Sequence, residues 1–157
     1  LTNTPDILQA IKEDKVSYFV TDFPSVELLN QPGVIAFPHL GASTPESEKN
    51  CAVMAVDQLI DYVENGNIKN SVNFPLTNLP RTGGPRLVII NKNIPAMVGQ
   101  ITQVLANQQI NISDMLNQHR GEIAYTIIDL DGEIQKTQLQ HLQQIEGVMR
   151  VRYLKGN

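Results

Sequence analysis

Residues 86–112 have the sequence RLVIINKNIPAMVGQITQVLANQQINI, and this stretch decides the fold of the second half of the chain. Its first residues form a β-branched apolar run, which is typical of a buried strand. A polar turn follows, and Pro95 then suits the first turn of a helix, where a missing N–H costs nothing. Apolar residues recur at helical spacing as far as Leu105, and Ile110 and Ile112 alternate with polar residues. The stretch therefore predicts a strand, a helix and a second strand.

The residues that follow complete a βαββαβ pattern. Residues 122–130 are rich in Ile, Tyr and Thr and are bounded by turn residues, so they predict a strand. Residues 135–146 carry apolar side chains three positions apart and stop before Gly147, which predicts an amphipathic helix. Residues 149–153 alternate apolar and basic side chains and predict the last strand. This order gives an α+β, ferredoxin-like antiparallel sheet with two helices on one face.

The first part of the chain follows a different pattern, in which short apolar strands alternate with helices. Strands are predicted over residues 16–20 and 34–37, and a long helix begins at Pro45. Such alternation is typical of a parallel, doubly wound sheet, and two strands cannot form such a sheet alone. We therefore expect residues 1–69 to be an α/β fragment of a larger doubly wound domain.

The chain thus divides into three predicted segments. Residues 70–85 contain three prolines and the pair Gly83-Gly84, and they predict a partly extended linker. The βαββαβ domain then occupies residues 86–157. Because the chain starts with Leu1 rather than Met, it fits a fragment of a longer protein as well as a complete chain.

Composition narrows the class of protein. The 157 residues include 12 basic and 16 acidic side chains, for a net charge of −4, which argues against a nucleic-acid surface with its basic stripe. The single cysteine, Cys51, excludes an intramolecular disulfide framework and fits a reducing compartment. No apolar run approaches the roughly 20 residues of a membrane-spanning helix, and no signal-peptide pattern opens the chain. We predict a cytoplasmic protein that binds neither nucleic acid nor membrane.

Three residues suited to proton transfer follow the C-terminal ends of the two predicted strands: Asp22, Glu27 and His39. Ligands bind at this edge of open α/β sheets, and a carboxylate beside a histidine fixes its tautomer and supports the imidazolium. Spacing alone favours the structural alternative, in which Asp22 is a turn residue, Glu27 is solvated and His39 caps a loop. No phosphate loop, GxGxxG, CxxC or HExxH occurs, and His119 and His141 lack metal-ligand spacing, so no metal site is predicted.

A second group of polar residues is Asn91, Asn93 and Asn111, which flank the predicted strand–helix–strand unit and can converge there. Amide side chains donate and accept hydrogen bonds, which suits the ammonium and carboxylate of an amino acid. The helix N-terminus also favours a carboxylate. Turn propensity alone favours the alternative, in which these asparagines have Asx-turn and capping roles. RNA binding is disfavoured, because the sheet strands carry only Tyr125 and Tyr153 as aromatic residues.

These segments carry a family resemblance. The motifs DFPSVE (residues 22–27), VIAFPHLGAST (residues 34–44) and QLIDYVENGNIKNSVNFP (residues 58–75) resemble the end of the NAD-binding domain of D-3-phosphoglycerate dehydrogenases. Residues 86–155 resemble the regulatory ACT domain that closes these enzymes. PHLGAST followed by an ACT-like unit is a specific combination, and together the two halves cover nearly the whole chain.

The resemblance implies an enzyme of serine biosynthesis that oxidises 3-phosphoglycerate, a small phosphorylated hydroxy acid, with NAD. It implies His39 as the catalytic residue and Glu27 as its partner. The implied cofactor contacts are Asp22, His39, Leu40, Gly41 and Ala42. The family's GxGxxG and catalytic Arg do not occur in this chain, so we expect the chain alone to be inactive and not to bind NAD. Leu28 also stands where the family usually has Pro.

For the ACT domain, the resemblance implies serine as a feedback inhibitor bound at Asn91, Asn93 and Asn111. It also implies a homo-oligomer in which two such domains pair edge to edge. Asn91 stands where some members have His, and Ile94 and Ala96 replace Arg and Gly. Two alternatives stay open: a non-catalytic, amino-acid-binding ACT module, and the sensor end of a different 2-hydroxyacid dehydrogenase.

Overall fold

The computed structural model describes residues 2–156, which form two compact units. The first unit ends at Val53 and the second begins at Met54, so the division falls within a long helix. The domain bounds 1–69, 70–85 and 86–157 stay a prediction. Within residues 2–156 no helix has both the length and the apolar composition needed to cross a membrane.

The first unit contains a short parallel pair of strands. Helix α1 (Thr4–Lys12) precedes β1 (Phe19–Thr21), and a 3-10 helix (Val26–Leu28) precedes β2 (Val34–Ala36). The two strands pair in parallel over three residues, as the predicted doubly wound fragment requires. Strand β1 begins three residues later than predicted, because the amide of Val16 donates to the carbonyl of Ala10 in the turn that ends α1.

Helix α2 (Pro45–Asn65) begins where the sequence predicts. The hydroxyl of Thr44 accepts the amide of Ser47 at 3.2 Å and so satisfies one of the free donors of the first turn. Gly66 follows the last turn with φ +75°, the left-handed conformation that commonly ends a helix.

The second unit contains the βαββαβ order predicted from the sequence. Its elements are β3 (Arg86–Lys92), α3 (Met97–Asn107), β4 (Ile112–Arg120), β5 (Ile123–Leu130), α4 (Lys136–Gln143) and β6 (Val148–Leu154). The strands form one antiparallel sheet in the order β4-β5-β3-β6. The predicted fold class is therefore confirmed: a parallel α/β pair in the first unit and a ferredoxin-like α+β sheet in the second.

Helices α3 and α4 cover one face of this sheet. The apolar side chains of the two helices and of the central strands form a core with these fully or nearly buried members: Leu87, Ile89, Met97, Ile101, Leu105, Ile128, Leu130, Ile134 and Leu142. Helix α3 begins at Met97 rather than Pro95, because Ala96 has φ +66° and lies outside the helix.

The other face of the sheet is covered by the chain between α2 and β3. Ile68 and Thr77 form an isolated antiparallel bridge, and both residues are buried. Phe74 contacts the edge of the Tyr125 ring at a centroid distance of 5.8 Å. Residues 70–85, predicted as a linker, therefore include a segment packed on the outer face of the sheet.

The C-terminal carbonyl oxygens of α2 accept hydrogen bonds from an arginine cluster, which we define as Arg81, Arg86 and Arg152. Arg152 donates to the carbonyls of residues 62 and 63 at 3.3 and 3.0 Å, and Arg81 donates to that of residue 64 at 2.8 Å. Arg86 donates to residue 65 at 2.8 Å. A helix leaves these last carbonyls free, and positive charge is favourable at that end.

Arg86 is the centre of the arginine cluster. Its guanidinium is fully buried and donates to both carboxylate oxygens of Asp129, at 2.5 and 2.8 Å. It also donates to the carbonyls of Leu79 and Pro80, at 2.9 and 3.1 Å. Asp129 is directly opposite Arg86 in the β3–β5 register, so the sheet itself aligns the two charges.

Candidate functional site

Asp22 and His39 meet at the C-terminal edge of the parallel strand pair. Asp22 follows β1 directly and His39 lies three residues beyond β2. The Nδ1 atom of His39 is 2.7 Å from Oδ2 of Asp22, and their side chains are 65% and 46% exposed. Both line an open cavity of about 450 Å³ with Phe23, Pro24 and other residues of the two strand ends. Geometrically, the pair is suited to general acid–base chemistry.

Glu27 lies elsewhere in the first unit. It belongs to the 3-10 helix that buries Leu28, and it lines a separate cavity with residues of α1. A hydrogen bond from the Ser25 side chain lowers the pKa of the Glu27 carboxyl. The structure thus pairs His39 with Asp22, and it does not bring Glu27 into the pair that the resemblance implies. Catalytic roles for His39 and Glu27 stay predictions.

The remaining residues implied as cofactor contacts, Leu40, Gly41 and Ala42, form an exposed loop between His39 and α2. The Gly41 carbonyl accepts the Ser47 hydroxyl at 3.2 Å. A Cβ atom at Gly41 would have no neighbour within 4 Å, so the backbone is open to approach by a ligand. Their contact with a cofactor stays a prediction.

Two of the three asparagines lie at one end of the second unit's sheet. Asn91 is 1% exposed; its Nδ2 donates to the Lys92 carbonyl at 2.8 Å, whereas its Oδ1 has no partner among residues 2–156. The amide of Asn93 donates to the Glu122 carbonyl at 2.8 Å and its Nδ2 to Gly121 at 3.1 Å. Asn93 also lines an open cavity of about 510 Å³ with Ile94 and Met149, among others.

Asn111 lies at the opposite end of the same sheet. It directly precedes β4, and its side-chain amide donates to the carboxylate of Asp131. Strand β5 lies between β3 and β4, and its register puts Asn91 level with His119 at the end of β4. Asn111 is therefore on the order of 20 Å away along the strand. One chain does not bring the three asparagines together, and their effector role stays a prediction.

Sequence reasoning missed the polar contacts that depend on strand register. Nothing in the local pattern around Arg86 distinguishes a buried arginine from an exposed one at the start of a strand. Asp129 could have indicated that Arg86 is buried, because it is an acidic residue near the end of an apolar strand that pairs with β3. Among residues 2–156, no group of three or more His, Cys, Asp or Glu side chains could hold a metal ion.

Comparison with curated proteins finds relatives with one name. D-3-phosphoglycerate dehydrogenase of Escherichia coli is 34% identical over 123 residues, which are 77% of this chain and 30% of that protein. The Haemophilus influenzae enzyme is 29% identical over 160 residues, 94% of this chain and 39% of its own length. D-3-phosphoglycerate dehydrogenase 1 of Saccharomyces cerevisiae is 27% identical over 154 residues, 83% of this chain and 32% of its own length. The chain thus spans 30–39% of these relatives. No protein-family model matches the chain.

Comparison with solved structures finds an ACT domain and a regulatory subunit among its matches. The ACT domain from GTP pyrophosphokinase of Chlorobium tepidum matches with a TM-score of 0.40 and 20% identity, over 45% of this chain and 95% of that one. The regulatory subunit of aspartate kinase from Thermus thermophilus matches with a TM-score of 0.38 and 12% identity, over 44% of this chain and 48% of that one.

Proposed function

We propose that this chain, a homologue of the D-3-phosphoglycerate dehydrogenases over most of its length, is the C-terminal part of an NAD-dependent enzyme of that kind. It would contribute His39 and its surroundings to the active site, and an ACT domain that binds an amino acid, with serine as the candidate effector. The observation that carries the proposal is the joint presence of PHLGAST at a parallel strand end and a βαββαβ domain in one homologous chain.

His39 would accept the hydroxyl proton of the substrate. Its imidazole stands at the edge of parallel strands where α/β proteins bind ligands, beside a cavity large enough for a small hydroxy acid. NAD, when bound, supplies the hydride acceptor for this chemistry. The open backbone of Gly41 and the neighbouring loop fit a cofactor contact, whereas pyrophosphate binding requires a GxGxxG turn that this chain does not contain.

The ACT domain would bind its effector at Asn91 and Asn93. A buried acceptor without a partner costs roughly 1–3 kcal/mol, and the ammonium group of an amino acid would satisfy the Asn91 Oδ1. Asn93 follows two residues later and is exposed; its Nδ2 donates one hydrogen to the Gly121 carbonyl, and the second would donate to the ligand's carboxylate. The exposed side chain of Ile94 leaves the site open rather than enclosed.

Pairing of two chains would complete this site. Strand β4 is an edge strand of nine residues, and edge strands can pair with a second copy. In an antiparallel pair related by a twofold axis, the beginning of one β4 lies beside the end of the other. The end of β4 is level with Asn91 along the strands, so Asn111 of the partner subunit would lie at the same end of the joined sheet as Asn91 and Asn93, three strand spacings or about 14 Å away across it. A homo-oligomer would thus place at one end of the sheet the asparagines that one chain keeps at opposite ends.

Calorimetric titration tests the regulatory part of this proposal. We expect selective binding of L-serine over glycine, and we expect Asn93→Ala to weaken it about tenfold or more, because a hydrogen bond to a charged group contributes roughly 1.5–3 kcal/mol. Asn111→Ala should weaken binding comparably if two chains form the site. Asn73→Ala is the control at an exposed asparagine outside it. Equal serine affinity in all four proteins would contradict the proposed effector site.

Steady-state kinetics of the full-length protein tests the catalytic part. We expect NAD reduction with 3-phosphoglycerate, and a fall in kcat of about 10²–10⁴-fold in His39→Asn, the usual contribution of general acid–base catalysis. Other 2-hydroxy acids serve as competing substrates. A folded full-length protein that does not oxidise 3-phosphoglycerate, or that has a higher kcat/KM for another hydroxy acid, would contradict the proposal.

A further inference from the structure

We propose that Asp22, and not Glu27, is the positioning residue that orients His39. This inference rests on the proposed function, in which His39 moves the substrate's proton. The direct observation is the 2.7 Å contact between Nδ1 of His39 and Oδ2 of Asp22. An acidic partner at Nδ1 fixes the tautomer of a catalytic imidazole and stabilises its charged form.

The backbone of the strand pair sets the distance between the two side chains. The register ends with Thr21 opposite Ala36, and the amide of Phe37 extends the ladder by donating to the Thr21 carbonyl at 3.1 Å. Asp22 and His39 leave the sheet immediately beyond this last bond. Neighbouring parallel strands end at one edge, so the two side chains are neighbours because of the register itself.

A second contact restrains the imidazole ring. Phe23 meets it edge to face, with a centroid distance of 6.0 Å and an interplanar angle of 85°. The Phe23 amide donates to the hydroxyl of Thr21 at 3.2 Å, which fixes the turn that carries both Asp22 and Phe23. The ring of His39 is therefore held by a carboxylate at one nitrogen and by an aromatic edge at its side.

Glu27 makes none of these contacts with His39. Its carboxylate accepts from Ser25 and lines the cavity beside α1 together with Leu8 and Lys12, among others. Glu27 belongs to a 3-10 helix that is anchored by its neighbour Leu28, which is 5% exposed. The contacts around His39 therefore favour Asp22 over Glu27 as its partner in this chain.

The arrangement assigns a role to each ring nitrogen. An ionised carboxylate only accepts hydrogen bonds, so Nδ1 carries a proton and Nε2 keeps its lone pair. In the proposed oxidation, the substrate O–H bond would break and its proton would go to Nε2 as the carbonyl forms. NAD, when bound, would supply the acceptor for the hydride that leaves the same carbon. Asp22 stabilises the imidazolium that results.

Nitrogen NMR of the ¹⁵N-labelled chain tests the assignment without any activity. We expect the neutral His39 ring to be mainly the Nδ1–H tautomer. Asp22→Asn should shift it toward Nε2–H, because the amide can donate to Nδ1, and Asp22→Ala should remove the preference. Glu27→Gln is the matched control, with an unchanged tautomer. A changed tautomer in Glu27→Gln, or an unchanged one in both Asp22 variants, would overturn the inference.

Kinetics of the full-length protein with 3-phosphoglycerate provides the second test. We expect Asp22→Asn to lower kcat about 10²–10⁴-fold with little change in KM, since the proton acceptor loses its orientation. Glu27→Gln should lower kcat less, and the reverse order would overturn the inference. An inactive wild-type protein would instead contradict the proposed function, and the tautomer measurements would still decide whether Asp22 or Glu27 orients His39.

Discussion

The part of the molecule up to Val53 and the part from Met54 are held together by different means. The first has a three-residue strand pair and leaves large side chains such as Phe23 and Val26 exposed, each at 83%. The second buries both faces of its sheet and encloses a charged pair. The difference shows that a candidate catalytic pair needs only a short backbone register to form, whereas a stable scaffold needs buried side chains. We expect substitutions to act on chemistry in the first part and on stability in the second.

Removing Arg86 is the strongest test of this contrast. Arg86→Met leaves Asp129, which is 2% exposed, as an unpaired buried charge, and such losses cost about 3–5 kcal/mol. The measurement is the free energy of unfolding in urea, followed by circular dichroism. Lys69→Met is the control, because its pair with Asp61 is partly exposed and should contribute less than about 1 kcal/mol. Equal losses in the two variants would contradict the contrast.

Gly66→Ala should produce the next largest loss. Gly66 has φ +75°, and a Cβ there would lie 2.4 Å from Cγ2 of Val88. The left-handed backbone costs about 1–2 kcal/mol and overpacking about 1–3 kcal/mol more, so we expect a loss of about 2–5 kcal/mol in the same unfolding experiment. Gly83→Ala shares the positive φ but has no neighbour within 4 Å, and it should show only the backbone cost. If the two variants lose the same stability, the outer face is not tightly packed.

Ala96→Gly should stabilise the second part by a smaller amount. Ala96 has φ +66°, a conformation that costs an L-residue about 1–2 kcal/mol and that glycine adopts without this cost. Glycine also has more conformational freedom in the unfolded chain, and this offsets roughly 0.5–1 kcal/mol of the gain. We expect a net gain of about 0.5–1 kcal/mol in thermal or urea unfolding. A loss of stability would show that α3 depends on the Ala96 methyl group.

The smallest expected effect is that of Asp22→Asn on stability. The pair with His39 is exposed on both sides, and exposed pairs contribute between about 0 and 1 kcal/mol. We expect a change within about 0.5 kcal/mol, measured as for Arg86→Met, even though the same variant should alter the His39 tautomer. A loss above about 1.5 kcal/mol would show that the pair stabilises the fold, and it would contradict the expectation that substitutions in the first part act on chemistry rather than on stability.

The sequence was sufficient for most of the fold. The apolar runs and the periodicity of residues 86–154 predicted every strand and helix of the βαββαβ domain, since the central strands are buried on both faces and the helices bury one face at helical spacing. The family resemblance is confirmed by the homologous dehydrogenases. The start of α3 was missed, because Pro95 fits a first helical turn equally well whether or not Ala96 adopts a left-handed conformation.

The sites were only partly predictable. Asp22 and His39 both follow predicted strands, so the strand pattern could predict that they lie at the same edge of the sheet. The family resemblance implied Glu27 as the partner of His39, and a resemblance of motifs does not reveal a 3-10 helix that places the Glu27 side chain beside α1. Asn111 was expected to converge with Asn91 in the strand–helix–strand unit. Strands β3 and β4 both pair antiparallel with β5, so they run in the same direction, and the end of β3 and the start of β4 lie at opposite ends of the sheet.

The arginine cluster determines which truncated fragments of the protein keep their buried hydrogen bonds. A fragment that starts at Arg86 would keep the guanidinium but lose the carbonyl oxygens of residues 65, 79 and 80, to which it donates hydrogen bonds. The Tyr125 hydroxyl, whose pKa is raised by burial, would lose its acceptor at Gly66, and the sheet face around Ile127 would face water. The last turn of α2 is therefore part of the smallest fragment that should unfold cooperatively, although it lies more than 20 residues before the first strand of that sheet.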